Sequence, residues 1–318
     1  MRFNANISPV NNFYYLHING FIKTIVVGLC LVVICLSPNK SIAKIKPEHK
    51  YKLEIPDSNY VQILSTRDGS TNIGRITHIR ESEIEFKTDF GKITIPISKI
   101  KDIKIVASSS IKNGRYWFPN PNATRLYFSP TARMLGQGEG YFSDYYVFFP
   151  GVSYGVTNNI TIGGGMSLFP GGGVNKQIYY LTPKVGIKAS KHLSCAVGTL
   201  LIKLPAIFDN DSHKAGVLYG VSTYGTPDKN LTFGFGYGFV DGTFAEKPML
   251  LIGGEKRLSR RIAFVSENWI FPGVDHPLIS YGLRFFGESL SIDLAFLNVW
   301  GDDSAYTTVP YMDFVFKF

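Results

Sequence analysis

Serine, histidine and aspartate side chains in two polar segments are the chain's candidates for hydrolytic chemistry. Cleavage of an ester needs a nucleophile, a base and an orienting group that converge on one point. A serine and a histidine that are adjacent in one loop project in different directions, and no lipid-hydrolase motif surrounds them. We therefore predict no enzymatic activity and no catalytic residues, with lipid hydrolysis as the least favoured alternative. The residues concerned are Asp209, Asp211, Ser212, His213, Asp275 and His276.

The same loop and two glycine triplets raise the question of a metal or a cofactor. Asp209, Asp211 and His213 could supply oxygen and nitrogen ligands, but aspartate-rich loops are commonly only solvated, and we predict no metal site. Glycines 163–165 and 171–173 lack the Gly-Lys-Ser/Thr that completes a phosphate-binding loop, and no helix is predicted after them. We predict no bound cofactor.

The composition indicates a strand-rich chain. Of the 318 residues, 14% are aromatic, 18% are charged and 32 are glycine. Many aromatic residues, many glycines and few charges are typical of β-barrels with aromatic girdles and tight turns. The formal net charge of +9 comes from lysines and arginines that are scattered along the chain. We therefore predict no nucleic-acid partner.

The last ten residues, 309–318, read V-P-Y-M-D-F-V-F-K-F. Met312, Phe314, Phe316 and Phe318 occupy alternate positions, so a strand would place them on one face. An alternating strand that ends on phenylalanine resembles the terminal strand of bacterial outer-membrane β-barrels. The resemblance implies that Phe314, Phe316 and Phe318 form an assembly signal for the barrel assembly machinery.

From residue 123 the chain repeats a run of strand-like residues followed by a turn. About twelve strands are predicted, an even number, as in single-chain bacterial barrels. An even number of strands places both ends of this domain (residues 123–318) on the same side of the membrane, and short polar turns alternate with longer loops as this arrangement requires. The predicted strands cover residues 123–135, 141–157, 160–170, 178–190, 193–207, 215–226, 231–243, 248–258, 262–271, 278–287, 290–300 and 309–318.

Along the last three predicted strands, large apolar residues alternate with small, polar or charged ones. A charged side chain on the lipid face would cost roughly 2–4 kcal/mol near the bilayer centre, so the charged set is predicted to face the lumen. Two interpretations stay open. These residues line a narrow aqueous path and give it selectivity, or they neutralise one another and fill the interior. The residues are Arg284, Asp293, Asp313 and Lys317.

The N-terminal third predicts a leader and a small domain. Residues 25–36 form an apolar run too short for a membrane-spanning helix, which needs about twenty residues. With Ala43 at the cleavage position they predict a signal peptide over residues 1–43, with an uncleaved anchor as the alternative. Residues 44–59 are predicted to be a linker.

Residues 60–106 contain five short runs in which apolar and polar residues alternate, which predicts five strands. This region resembles SH3-like or Sm-like small barrels, with a loose motif from Val61 to Ile76. Sm-like domains bind RNA, which an exported chain would not meet. We therefore predict a small periplasmic module with a possible periplasmic protein partner. Residues 107–122 are predicted to be a second linker.

The sequence thus predicts an all-β protein: an antiparallel transmembrane β-barrel of about twelve strands, preceded by a small SH3-like β-domain. The predicted location is the bacterial outer membrane, with its lipid as a partner and the module in the periplasm. The predicted function is a narrow, porin-like channel for small solutes. The alternative is a structural protein whose plugged barrel anchors the module.

Overall fold

A computed structural model of the chain describes residues 52–171, 173–206, 212–300 and 306–318. The predicted signal peptide and the first half of the first predicted linker, residues 44–51, lie outside the described residues. Within the described part, no helix is long and apolar enough to cross a membrane. The helical elements there are three 3₁₀ turns, at Ile97–Lys99, Ser108–Ser110 and Val174–Lys176.

The first five strands form a separate antiparallel sheet in the order β4-β3-β2-β1-β5. Its alternation gives one apolar face: in β3, Ile84 and Phe86 are buried while Glu83 and Glu85 lie on the other side. The strands are β1 (Tyr60–Thr66), β2 (Thr71–Ile79), β3 (Glu83–Thr88), β4 (Gly91–Pro96) and β5 (Ile100–Ala107). The core of this module consists of Leu64, Ile76, Ile84, Phe86, Ile95 and Ile100.

A short hairpin, β6 (Ile111–Lys112) and β7 (Arg115–Tyr116), follows the module. The next strand begins only at Gly140. Residues 117–139, here called the lumenal segment, contain a single isolated bridge, between Arg125 and Pro130.

The remaining strands close into a twelve-stranded antiparallel barrel, in which β11 and β12 together form one wall position. Closure comes from pairing of β21 with β8, β8 with β9, and β9 with β10. The strands are β8 (Gly140–Tyr145), β9 (Phe149–Thr157), β10 (Ile160–Met166), β11 (Tyr179–Leu181), β12 (Lys184–Lys188), β13 (Leu193–Leu204), β14 (His213–Thr226), β15 (Lys229–Val240), β16 (Thr243–Phe244), β17 (Met249–Arg257), β18 (Ile262–Ile270), β19 (Leu278–Phe286), β20 (Leu290–Trp300) and β21 (Tyr306–Lys317). The short strand β16 pairs only with β15.

The predicted strand count is confirmed, but by a different division of the chain. The predicted strand at 141–157 is two strands, β8 and β9. The turn between them places Tyr146 and Val147 at φ of 54° and 66°, a backbone geometry that suits tight hairpins. The predicted strand at 178–190 is interrupted at Pro183, because proline has no N–H to donate to the ladder.

The prediction of a strand at residues 123–135 is wrong. These residues lie inside the barrel, where Leu126, Tyr127 and Ala132 are fully buried. Every edge of the wall is already paired with another strand, so the barrel leaves no place for a further strand. The wall begins at Gly140, seventeen residues later than the predicted domain boundary at 123.

The first and last wall strands meet at one end of the barrel. The backbone N–H of Gly140 donates to the carbonyl of Phe318 over 3.2 Å, and that of Phe318 donates to the carbonyl of Gly140 over 2.9 Å. The short turns, such as residues 258–261 and 287–289, lie at this same end. We call it the short-turn end and the opposite end the long-loop end.

The two faces of the wall differ as the alternation predicts. In β15, Leu231, Phe233 and Phe235 point outward and are 60%, 46% and 51% exposed, whereas Thr232 between them is fully buried. The same pattern in β19 and β20 gives an apolar exterior and an interior of small, polar and charged residues.

Gly140 is the position at which barrel closure is most easily tested. A Cβ atom there would lie 2.6 Å from Cε2 of Phe318. Gly140→Val should therefore displace the last residue and lower the yield of folded barrel on refolding into detergent micelles, read as the heat-dependent shift in gel mobility. Gly173→Val is the matched control, because a Cβ at Gly173 has no neighbouring atom within 4 Å. Equal yields for the two variants would contradict this account of closure.

Candidate functional site: the barrel lumen

The lumenal segment occupies the interior of the barrel, where it makes both apolar contacts, as at Leu126 and Ala132, and polar contacts with the wall. An irregular backbone inside a closed barrel has N–H and C=O groups without ladder partners, and each would be costly to bury unpaired. Side chains from the wall supply those partners. Arg284, Glu267 and Lys184 make most of these contacts.

Arg284 lies at the centre of a buried charge network. Its side chain is fully buried, its Nε donates to Oδ1 of Asp293 over 2.7 Å, and its Nη2 donates to Oδ2 of the same carboxylate over 2.7 Å. Its Nη1 donates to Oε2 of Glu255 over 2.8 Å. The two-fold contact with Asp293 is the strongest geometry available to a guanidinium and a carboxylate.

The same guanidinium also donates hydrogen bonds to the lumenal segment. Nη1 of Arg284 donates to the carbonyl of Asn122 over 2.9 Å, and Nη2 donates to the carbonyl of Leu126 over 2.6 Å. The amide of Asn120 completes the network by donating to Oε1 of Glu255 over 2.7 Å. Arg284 therefore joins the wall to the segment.

Glu267 binds the next turn of the segment through its carboxylate. Its Oε2 accepts from the backbone N–H groups of Tyr127, Phe128 and Ser129 over 2.8, 3.1 and 3.0 Å, and from the hydroxyl of Ser129 over 2.8 Å. Its Oε1 accepts from the indole of Trp269 over 2.7 Å. One buried carboxylate thus satisfies the donors of a whole turn.

Lys184 binds the segment from the opposite side of the barrel. Its Nζ donates to the carbonyls of Thr131 and Arg133 over 2.9 and 2.8 Å, and to that of Thr124 over 3.3 Å. Among the described residues no carboxylate forms an ion pair with this ammonium group. Its partners are three carbonyl oxygens of the segment.

Three of the four residues predicted to line the lumen lie together, because Arg284 is directly opposite Asp293 and Asp293 is directly opposite Asp313 in the wall. Arg284 and Asp293 pair with each other, and Asp313 pairs with Arg125 of the lumenal segment over 2.7 Å. Lys317 lies near the short-turn end, where its Nζ is 2.9 Å from Oε1 of Glu139.

The hydrogen bond from Lys317, followed by one from the backbone N–H of Gly136, holds the pKa of Glu139 below its ordinary value despite partial burial. This pair therefore lies apart from the buried network around Arg284. A role for the four predicted residues as a selectivity lining stays a prediction.

The sequence reasoning missed Lys184, Glu255 and Glu267, and it placed Arg125 in a wall strand. One signal could have found the three wall residues. Each is a charged residue at an inward position of an apolar, alternating strand, as Glu255 is in Met249–Arg257. Their partners lie up to 140 residues away in sequence, so no local pattern could have paired them.

Cavities lie on both sides of the lumenal segment within the described part of the barrel. One, of about 200 Å³, faces the long-loop end and is lined by Tyr145, Tyr219 and Trp269 among others. The other, of about 320 Å³, faces the short-turn end and is lined by Arg133 and Lys188 among others. Thr124 of the segment lines both.

Small wall residues make room for the segment. A Cβ at Gly253 would lie 2.5 Å from Cδ1 of Leu126, and one at Gly155 would lie 2.2 Å from the carbonyl oxygen of Gly136. The absence of a side chain at these inward glycines therefore leaves the space that the segment occupies.

The candidate hydrolytic residues are only partly described. Asp209 and Asp211 lie outside the described residues. Nδ1 of His213 lies 2.6 Å from Oδ2 of Asp241, a residue that the sequence reasoning did not select. The backbone N–H of Lys214 and then the imidazole of His213 hold the pKa of Asp241 below its ordinary value. Within the described ranges, no group of three or more His, Cys, Asp or Glu residues could hold a metal ion.

Replacement of Arg284 tests the charge network. Arg284→Met would leave Asp293 and Glu255 buried without their cation, so the free energy of unfolding should fall by about 3–5 kcal/mol. Urea titration of the barrel in lipid vesicles measures this change. Adding Asp293→Asn and Glu255→Gln should restore part of the loss, because the uncompensated charges are then removed. If the triple variant is no more stable than Arg284→Met, the loss does not come from unpaired charge.

Comparison with solved structures returns outer-membrane barrels. The NanC porin is 11% identical with a TM-score of 0.38, and the match covers 56% of this chain and 97% of that one. Omp33 of Acinetobacter baumannii is 9% identical with a TM-score of 0.33, over 57% and 96% of the two chains. OccK11 of Pseudomonas aeruginosa is 12% identical with a TM-score of 0.29, over 81% and 93%.

These three structures show nothing about the function of this chain. The resemblance of residues 60–106 to SH3-like or Sm-like domains is not tested by any of them and stays a prediction. No family model matches the sequence, and no curated protein matches it. The assignment of a closed antiparallel barrel rests on the strand pairing of this chain.

Proposed function

We propose that the protein is an outer-membrane channel for small solutes that is closed by its own lumenal segment and conducts when that segment moves. The observation that carries the proposal is the presence of cavities on both sides of the segment. Two cavities approach each other from opposite ends, and Thr124 of the segment lines both. Displacement of a few residues around Thr124 would join them.

The exterior of the barrel supports the membrane location. Outward residues of the wall are large and apolar, and Leu294, Phe296 and Phe316 are 47%, 50% and 49% exposed. Such a surface would be unfavourable in water over a whole barrel circumference, whereas it matches the hydrocarbon of a bilayer.

The polar contacts of the segment are of a kind that a movable gate could exchange for water, although Leu126, Tyr127 and Ala132 also pack in apolar clusters with the wall. Lys184, Arg284 and Glu267 bind its backbone groups, and water could replace each of these hydrogen bonds once the segment swings out. Each contact is worth about 1.5–3 kcal/mol for a charged partner. Loss of one should shift the gate towards the open state without removing the others.

Single-channel recording tests the gate with two variants. Lys184→Met removes the donor to three carbonyls of the segment, so the fraction of time spent open in a planar bilayer should rise about tenfold or more. Ala132→Cys with Thr223→Cys, in a Cys195→Ser background, should lock the segment when oxidised. The N–H of Ala132 already donates to the hydroxyl of Thr223 over 2.9 Å. Oxidation should abolish the current and reduction should restore it.

Two controls decide the outcome. Thr223→Cys alone, in the same background, should conduct equally under oxidising and reducing conditions. If the cross-linked protein conducts as well as the reduced one, solutes do not need the segment to move. If neither the natural chain nor Lys184→Met conducts, the barrel is permanently plugged and the channel is rejected.

A second candidate function is an anchor for the N-terminal module. It is favoured by contacts between the module region and the short turns of the barrel. Nζ of Lys104 in the module lies 2.6 Å from Oε2 of Glu288, and Nζ of Lys112 in the hairpin that follows the module lies 3.3 Å from Oδ2 of Asp228. In the proposed orientation these turns face the periplasm.

Removal of residues 44–110 separates the two functions. A channel should keep its unit conductance, because both cavities are formed by later residues. An anchor should lose a protein partner that the full chain captures from a periplasmic extract. Loss of conductance with a barrel that still folds would mean that the module is part of the path.

A further inference from the structure

Strand β8 pairs with β21 but covers only part of its edge. The N–H of Tyr146, at the tip of the β8–β9 hairpin, donates to the carbonyl of Met312 over 3.0 Å. Strand β21 continues above this level through residues 306–311, which pair only with β20 among the described residues. At about 3.3 Å per residue, the part of the edge without a neighbouring strand is roughly 20 Å long. We call the space beside it, above the hairpin, the lateral gap.

The edge of β21 at the lateral gap is of a kind that stays open. Alternate residues of a strand direct their N–H and C=O groups to the same side, and Met312, Pro310 and Thr308 direct theirs towards the gap. Pro310 has no N–H to offer to a further strand, and proline within a sheet is confined to edges. Pro310 and Thr308 are both exposed. The described residues therefore leave this edge accessible.

The lateral gap has a floor and a second side. Its floor is the tight turn of the hairpin, where Val147 is exposed and has a φ of 66°. A β-branched residue rarely adopts a positive φ, and such strained positions cluster at functional sites. The second side is the start of the loop after β10, where Phe169 packs edge-on against Phe149 with ring centres 5.4 Å apart.

Aromatic rings connect the lateral gap to the cavity at the long-loop end. The ring of Tyr146 lies edge-on to that of Tyr311 at 5.4 Å, and Tyr311 contacts Phe128 of the lumenal segment at 4.7 Å. Phe128 also stacks on Tyr145 at 5.7 Å, and both residues line the cavity. Phe128 is 46% exposed although it belongs to a segment inside the barrel, so its ring borders open space there.

The surfaces on both sides of the lateral gap are apolar. Leu200, Val217 and Leu251 line the cavity within. On the outer face, Phe296 is directly opposite Pro310 and half exposed, so the apolar exterior continues above the tip of the hairpin. Backbone without ladder partners is costly in hydrocarbon and is tolerated at membrane depth where it lines a cavity. The open edge of β21 is therefore consistent with a passage between bilayer and cavity.

We propose that the lateral gap admits small, uncharged, apolar molecules from the bilayer into the cavity at the long-loop end. The cavity measures about 200 Å³, which suits a compact molecule such as a fused pair of aromatic rings. Its cations are already used, since Lys184 binds carbonyls of the segment and Arg125 pairs with Asp313. This route runs sideways through the wall, goes beyond the proposed channel and does not need the lumenal segment to move.

Photolabelling from within the bilayer tests the route. The protein is reconstituted in nanodiscs that contain a phosphatidylcholine with a phenyl-diazirine at the end of one acyl chain, which cannot reach the lumen through water. Trypsin releases residues 126–133 as one peptide, and this part of the lumenal segment has no residue on the outer face of the wall. Illumination should nevertheless label Phe128, and excess naphthalene should compete. Phe233 on the outer face should be labelled with or without naphthalene.

Two variants that each add a ring form a matched pair. Val217 and its neighbour Leu218 project to opposite faces of β14, the first into the cavity and the second to the exterior. Val217→Phe should therefore lower the labelling of Phe128, whereas Leu218→Phe should leave it unchanged. The heat-dependent shift in gel mobility confirms that both variants fold.

Three results would overturn the proposal. The first is labelling of Phe233 without labelling of Phe128. The second is equal labelling of Phe128 in the natural chain and in both variants, because the probe would then not enter the cavity. The third is labelling of Phe128 by a free phenyl-diazirine but not by the lipid, because the molecule would then arrive from water. None of these results depends on a current, so rejection of the channel would leave the test intact.

Discussion

The guanidinium of Arg284 is the interaction on which the interior depends. It is fully buried and contacts two carboxylates of the wall and three carbonyls of the lumenal segment. A buried cation without partners would cost several kcal/mol, so these contacts hold the guanidinium, the neighbouring carboxylates and the segment in one arrangement. The wall strands β17, β19 and β20 are thereby tied to a chain that is not part of the wall.

The general constraint behind this arrangement is that backbone N–H and C=O groups outside the β-ladder still need hydrogen-bond partners when they are buried. A strand in the wall pairs its N–H and C=O groups with its neighbours, but residues 117–139 have no ladder. Their carbonyls are bound by the cations Arg284 and Lys184, and their N–H groups by the carboxylate of Glu267. Charged residues inside the barrel thus have a structural use that does not require contact with solute.

Side chains along a strand point alternately to its two faces, and this period of two explains how much of the fold can be predicted from the sequence. Alternation along 290–300 separates an apolar exterior from an interior that contains Asp293, and a local pattern suffices for that. Residues 123–135 show strand-like features as well, since a segment packed in a mixed lumen also needs apolar and polar contacts. Nothing local distinguishes the two cases. The difference lies in the partners of Leu126, one of which is 158 residues away.

The same period of two separates the outward residues of the wall, which are apolar, from the inward residues, which contact the lumenal segment. On β17, Leu250 and Ile252 point to the exterior, whereas Gly253 and Glu255 receive the lumenal segment. A change on one face leaves the other face intact, because neighbouring side chains project to opposite sides. Residues on the outer face can therefore change without altering the contacts of the lumenal segment. Those contacts depend on inward residues such as Glu255, whose side chain does not reach the outer face.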